Sequence, residues 1–458
     1  FVIVISLFYF TLLYMDCEMS IIFYAGSDKI YSKILKSASP LQKNAINEAN
    51  EFLEDFLRCK EAISFYNKGM SNPNFSSVRP DIKQISVLLS SYSEKKNIVV
   101  IGNGGSIRNS IALYNALFYK TSSKRLFFID SLEANGVFGD LLSERSIFSS
   151  SNTLIVSISK SGNTLNVVKA SEVLFKKGYQ ILVVTDSSNS GLSDFAKKNS
   201  LSILPHADDV GGRFSAGQNN SLLPIALLLG RVDEIVELDQ SFVKAHNKFL
   251  PEVSINSNLA KALSLRLYMF EILGFTELFI FGYGRCFRGL GELIIQLVHE
   301  SYCKNGMGQT VIYSDAPESH HHTNQRFFDG RKNMLGLSIR IENSGQDFTL
   351  SDGLGCNEFI DLEHSVLLTE AEKYECPHMV LSLGNLSCAD VSSMISLWQW
   401  TAVYSAILRG VNPFDQPAVE NSKKKIQRLV DSEENSVEKF KSVVKNENWS
   451  SSNFLDNF

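Results

Sequence analysis

Short apolar runs recur along this chain at intervals that each leave room for one helix, and that spacing constrains the fold more than any other feature. In the first half the runs are Asn97–Ile101, Leu126–Ile129, Thr153–Ile158, Gln180–Val184 and Leu201–Leu204. Runs of this length between turn signals read as buried strands. Parallel neighbours need a crossover, usually a helix, whereas antiparallel ones need only a tight turn. The alternation therefore predicts a mainly parallel sheet with helices on both faces. A polar turn at Asp208–Gly212 then leads into a helical stretch, Gln218–Leu229. A second cycle begins after about residue 255, with a helix to Leu273, a strand at Glu277–Phe281 and a helix to about Glu300. Strands near Thr310–Tyr313, Met334–Ile341 and Met379–Leu383 follow, before the long helix Val391–Leu408. The expected class is α/β. The expected divisions are an N-terminal extension over 1–19 and a helical segment over 20–95 with a loop around Ser71–Pro80. A first α/β domain follows over 96–245, a second over 255–410, and a helical arm and tail over 411–458.

With 458 residues, 44% of them apolar and 20% charged, the chain can bury the cores of two such units. A net charge of −5 gives no basic face for a phosphate backbone, so no nucleic-acid partner is expected. Any anion bound here should be small, held by a few placed cations and backbone N–H groups. The seven cysteines (Cys17, Cys59, Cys286, Cys303, Cys356, Cys376 and Cys388) include no C-x-x-C pair and read as reduced thiols of a cytoplasmic protein. Phe1–Tyr14 is almost wholly apolar but shorter than the ~20 residues of a membrane span, and it lacks the basic start of a secretory signal. No membrane partner is expected. Met15 and Met19 follow closely, and the residues before one of them are expected to be translated from upstream of the true start.

Ligands of an open parallel sheet bind at the carboxyl ends of its strands. Two such ends carry loops suited to an anion. Gly102-Asn103-Gly104-Gly105-Ser106 lets the backbone approach closely and opens a helix whose free N–H groups favour negative charge. A glycine-rich turn can equally serve φ > 0 alone. Ser159-Lys160-Ser161-Gly162-Asn163-Thr164 places three hydroxyls at a helix start, where a simple cap uses one. Taken together, the loops resemble those of the sugar isomerase (SIS) domain. The two-unit chain resembles the phosphoglucose isomerase family, whose members contain two such domains.

Three further segments carry that resemblance. Val210-Gly211-Gly212-Arg213-Phe214-Ser215 is similar to one family signature, and Phe414-Asp415-Gln416-Pro417-Ala418-Val419-Glu420-Asn421-Ser422-Lys423 to another. Gln296-Leu297-Val298-His299-Glu300-Ser301 resembles the family's Gln-x-x-x-Glu-Ser segment, with Gln296 and Glu300 on one helix face. A carboxylate suits the reaction because it can take and return the same proton. The resemblance implies reversible isomerisation of glucose 6-phosphate and fructose 6-phosphate through a cis-enediolate, in glycolysis and gluconeogenesis, without cofactor or metal. It gives Glu300 the proton transfer between carbons 1 and 2, Arg213 the enediolate charge, and Lys423 a part in ring opening. Gly105, Ser106, Ser159, Lys160, Ser161 and Thr164 are the implied phosphate cradle, with Gln296 and Gln416 as substrate contacts.

His321 is the implied ring-opening histidine, reaching a neighbouring subunit's site across a homodimer interface. It lies in Ala316-Pro317-Glu318-Ser319-His320-His321-His322, where the family segment ends Gln-His-Ser. Three consecutive histidines also invite a metal reading, but successive residues seldom aim their rings at one ion. Other departures are Arg108 and Asn109 in the first loop's helix, and Asn166 where the family has Glu. An isomerase that also accepts mannose 6-phosphate, a non-catalytic sugar-phosphate-binding SIS protein, and an inactive paralogue are the alternative readings.

Overall fold

The computed structural model describes residues 12–13, 21–24 and 26–431, except 69–73, 120–122, 144–146, 187–188 and 346. The rest of the apolar start, Cys17 and the tail after Asp431 lie outside the described residues. The chain divides into two compact units, Phe1–Phe414 and Asp415–Phe458.

In the first unit, two short strands come first, β1 (Leu12–Leu13) and β2 (Ile21–Tyr24). Helices α1 (Asp28–Ser37), α2 (Pro40–Glu54), α3 (Phe56–Tyr66) and α4 (Ile82–Ser91) follow. The segment read from sequence as helical over 20–95 thus opens on a strand. A five-stranded sheet comes next, built from β3 (Asn97–Ile101), β4 (Arg125–Ile129), β5 (Thr153–Ser159), β6 (Gln180–Thr185) and β7 (Ile203–Pro205). Its order is β4-β3-β5-β6-β7, and every pairing is parallel. Ile98, Val100, Leu154 and Val156 pack into one core, while Val99, Ile101 and Ile155 pack into a second on the opposite face. Successive residues of a strand point to opposite faces. Burial of both faces therefore demands unbroken apolar runs instead of alternation.

The second sheet has the order β1-β2-β11-β10-β8-β9. Its parallel part is β8 (Glu277–Tyr283), β9 (Thr310–Ala316), β10 (Met334–Ile341) and β11 (His378–Leu383). β2 adds antiparallel to β11, with Leu381 opposite Phe23, and β1 adds antiparallel to β2. The helices that matter for the site are α5 (Gly105–Leu113), α6 (Leu165–Lys176), α7 (Asn219–Leu229), α8 (Asp233–Lys248), α9 (Arg288–Ser301), α10 (His320–Asp329), α11 (Cys356–Lys373) and α12 (Cys388–Leu408). α12 is buried along nearly its whole length, including Trp398 and Trp400, and packs against α8 and α9. The second unit contributes α13 (Pro417–Asp431). Among the described residues, no helix is long and apolar enough to cross a membrane.

Candidate active site

The chain leaves β3 toward β4 and leaves β5 toward β6, in opposite directions from two neighbouring strands. Such a reversal opens a crevice at the carboxyl ends of the pair. Both hydroxyl-bearing loops end there, about 5 Å apart at their roots because their strands are hydrogen-bonded neighbours. Thr164 stands at the N-cap of α6, but its hydroxyl is turned to Ser159 Oγ (2.8 Å) and does not cap the helix. Thr185 Oγ1 fixes the same loop by donating to the Ser159 carbonyl (2.7 Å). Ser159 is buried, while Ser161 is exposed and accepts from the Asn163 N–H at 3.3 Å. Lys160 is half-buried: burial pushes its ammonium pKa down, and Asp209, Asp186 and Asp208 pull it back up. α5 starts with Gly104 at its N-cap, so no side chain covers its first amides.

Gly105 has a cause beyond anion approach. A Cβ there would lie 2.1 Å from the Arg213 nitrogen, and one on Gly212 would lie 2.9 Å from Gly105 C. The two loops meet backbone to backbone, which only glycine permits. Asn220 Nδ2 joins them again by donating to Ser106 O (3.1 Å) and Ser215 Oγ (2.8 Å). The glycines of the two motifs thus form one contact.

That contact seats Arg213, which is 2% exposed. Its Nε donates to Ser301 Oγ (2.9 Å), one Nη to Glu300 Oε2 (2.9 Å) and the other to the Pro413 carbonyl (2.5 Å). Phe214 turns back beneath it, stacked on Phe75 at 4.9 Å, with Phe414 5.6 Å away on another side. Gln399 on α12 donates to the Arg213 carbonyl (3.3 Å). Glu300 is 22% exposed, and its second oxygen accepts from Gln296 Nε2 at 2.9 Å, as the four-residue spacing on α9 allows. Gln296 in turn reaches Gly104, whose Cβ would sit 3.0 Å from its amide nitrogen. His299, between them in sequence, faces away and accepts from the Val311 N–H at 2.9 Å. A carboxylate, a guanidinium and an amide therefore converge beside the first loop.

The three consecutive histidines diverge. His320 meets the Tyr283 hydroxyl (2.8 Å), His322 meets Thr323 Oγ1 (2.8 Å) and lies 3.5 Å from Glu318, and His321 is exposed. Among the described residues no group of three or more His, Cys, Asp or Glu side chains could hold a metal ion. Gln416 and Lys423 belong to the second unit, where Gln416 Nε2 donates to Glu420 Oε1 (2.7 Å) and Lys423 lies exposed on α13.

No protein-family model matches the chain. Curated relatives do. A glucose-6-phosphate isomerase of Mesomycoplasma hyopneumoniae (strain 232) is 27% identical over 363 residues, covering 72% of this chain and 82% of its own. One from Methanocaldococcus jannaschii is 25% identical over 354 residues, covering 73% and 84%. The crystal structure of a glucose-6-phosphate isomerase from Chlamydia trachomatis superposes with a TM-score of 0.73 at 18% identity, over 93% of this chain and 91% of that one. The chain is thus similar, over about 72% of its length, to proteins named glucose-6-phosphate isomerase. A hypothetical protein of Thermus thermophilus shares the fold, with a TM-score of 0.70 at 20% identity over 88% of this chain and 97% of that one. The shared fold accounts for the two sheets of the first unit. Arg108, one of this chain's departures from the family pattern, pairs with Glu292 on α9 and with Asp130 at 3.4 Å. It ties the first loop's helix to the helix that bears Gln296 and Glu300.

Proposed function

We infer that the chain is a glucose-6-phosphate isomerase, an aldose–ketose isomerase that interconverts glucose 6-phosphate and fructose 6-phosphate. The observation that carries this reading is the Glu300–Arg213 pair at 2.9 Å, held against the Gly105–Ser106 loop in a chain with relatives of that name. In the proposed mechanism Ser106, Ser159, Lys160, Ser161 and Thr164 hold the phosphate with the first-turn amides of α5 and α6. Phosphate binding, remote from the reacting carbons, supplies free energy for placing them. Glu300 removes the proton from carbon 2 and returns it to carbon 1. Arg213 is assigned the negative charge that develops on the enediolate oxygens, and a buried, pre-fixed cation needs no reorganisation at that moment. Gln296 orients the carboxylate from its other oxygen.

Ring opening is assigned to His321 and Lys423, and Gln416 to a substrate contact. The exposed position of His321 at the start of α10 is compatible with its serving the site of a second copy in a homodimer. The cytoplasm is the compartment that this reading carries, and Cys59, Cys286, Cys303, Cys356, Cys376 and Cys388 are free thiols. The deciding assay couples fructose 6-phosphate consumption to glucose 6-phosphate formation, with and without a chelator. Turnover that the chelator leaves unchanged is expected. Absence of turnover from protein that binds a sugar phosphate would contradict the reading.

A further inference from the structure

Asn109 is fully buried in the first helical turns of α5 and faces the Arg213 loop. Its Nδ2 donates to the Gly212 carbonyl (2.8 Å) and to the Gly105 carbonyl one turn back on its own helix (3.2 Å). The Gly212 carbonyl and the Arg213 nitrogen share one rigid peptide plane. A bond to that oxygen therefore fixes how Arg213 leaves the turn. Ser215 also donates to the same carbonyl, through Oγ at 2.7 Å, but it belongs to the turn itself and moves with it. Asn109 is anchored elsewhere, on the helix whose first amides face the phosphate crevice. Glycine at 212 offers little resistance to peptide rotation, so the restraint has to come from a neighbour.

We propose that Asn109 is a positioning residue for Arg213, transmitting the placement of the phosphate loop to the guanidinium beside Glu300. The proposal rests on the role of Arg213 given above. The chain of contacts is short: the α5 N-terminus, Asn109, the Gly212–Arg213 peptide, the guanidinium, and Glu300 Oε2 at 2.9 Å. A displacement of about 1 Å in such a group can cost on the order of a hundredfold in rate without loss of substrate binding. The loss should therefore fall on kcat and spare KM.

The test is steady-state kinetics on the full chain carrying Asn109→Ala, with competitive inhibition by inorganic phosphate and a thermal midpoint measured alongside. The expected result is a kcat lower by about tenfold or more, with KM and the phosphate inhibition constant within about twofold of the unaltered protein. Asn109→Ser is the second variant. Its hydroxyl can bond the Gly105 carbonyl within the helix but is too short to reach Gly212, so it should lose kcat as alanine does while preserving the fold. Unchanged kcat in the serine variant overturns the proposal. So does a KM and phosphate inhibition constant that move in step with kcat, since Asn109 would then serve only the phosphate loop. Absence of isomerase turnover in the unaltered chain is a different result, because it removes the assigned role of Arg213 and this inference together.

Discussion

Arg213 donates from each nitrogen of its guanidinium, to Ser301, Glu300 and the Pro413 carbonyl. Such a fork is fixed in direction as well as in place. Ser301 is fully buried and accepts from Nε. Replacing it with alanine leaves a buried, charged donor without that acceptor, which costs about 1–3 kcal/mol. Ser301→Ala should therefore lower the thermal midpoint and reduce kcat by roughly tenfold with KM nearly unchanged; a variant with full kcat would show that Nε needs no anchor. Ser301 was legible as the last residue of the Gln-x-x-x-Glu-Ser segment. The Pro413 carbonyl was not, because a backbone acceptor carries no residue signature. Asn109 was visible only as a departure from a pattern, and its reason appeared once Gly212 was found 2.8 Å away.

At the scale of elements, the strands were the most readable part. β10 has the bounds expected from sequence, and β3 does too, since strands buried on both faces announce themselves as unbroken apolar runs. Two helices gave no such signal. α11 leaves Phe359, Leu362 and Val366 exposed, which blurs any apolar stripe, and α10 opens on three histidines. β2 was missed because four residues are too short a run to set a strand period, and they stand outside the regular strand-and-helix alternation. The crevice was legible in part: the loops stood out by composition, but their joining through Gly105 and Gly212 is a tertiary fact. Spacing along one helix face predicts neighbours only within that helix. For the same reason Gln296 and Glu300 could be paired from sequence, whereas Glu300 and Arg213 were brought together there only by family resemblance.

The molecule as a whole holds several histidines in its interior in neutral form. Burial pushes the pKa of His206 and His364 down to about 4, and that of His246 and His378 down to about 3. His246 accepts from Trp400 Nε1 (3.2 Å), a bond that protonation at Nδ1 would break. His364 lies beside Arg340, and His378 near both His364 and His320, so added charge would meet charge. Unfolded, each histidine takes up its proton near pH 6.5; folded, each resists until about 4 or 3. Below pH 6.5 the unfolded state thus binds more protons, and each group costs up to about 1.4 kcal/mol of stability per pH unit. Stability should be full above that pH and fall steeply toward pH 5, read as a thermal midpoint that drops over that window. A midpoint flat from pH 7 to pH 5 would contradict this burial pattern. The proposed role of Glu300 is to move a proton through an enediolate. It is tested most directly by following hydrogen exchange at carbon 2 of glucose 6-phosphate in D2O, with the unaltered chain and with Glu300→Gln. Deuterium incorporation is expected from the unaltered chain, and none above background from a variant that still binds the sugar phosphate. Exchange at the normal rate in Glu300→Gln would contradict it.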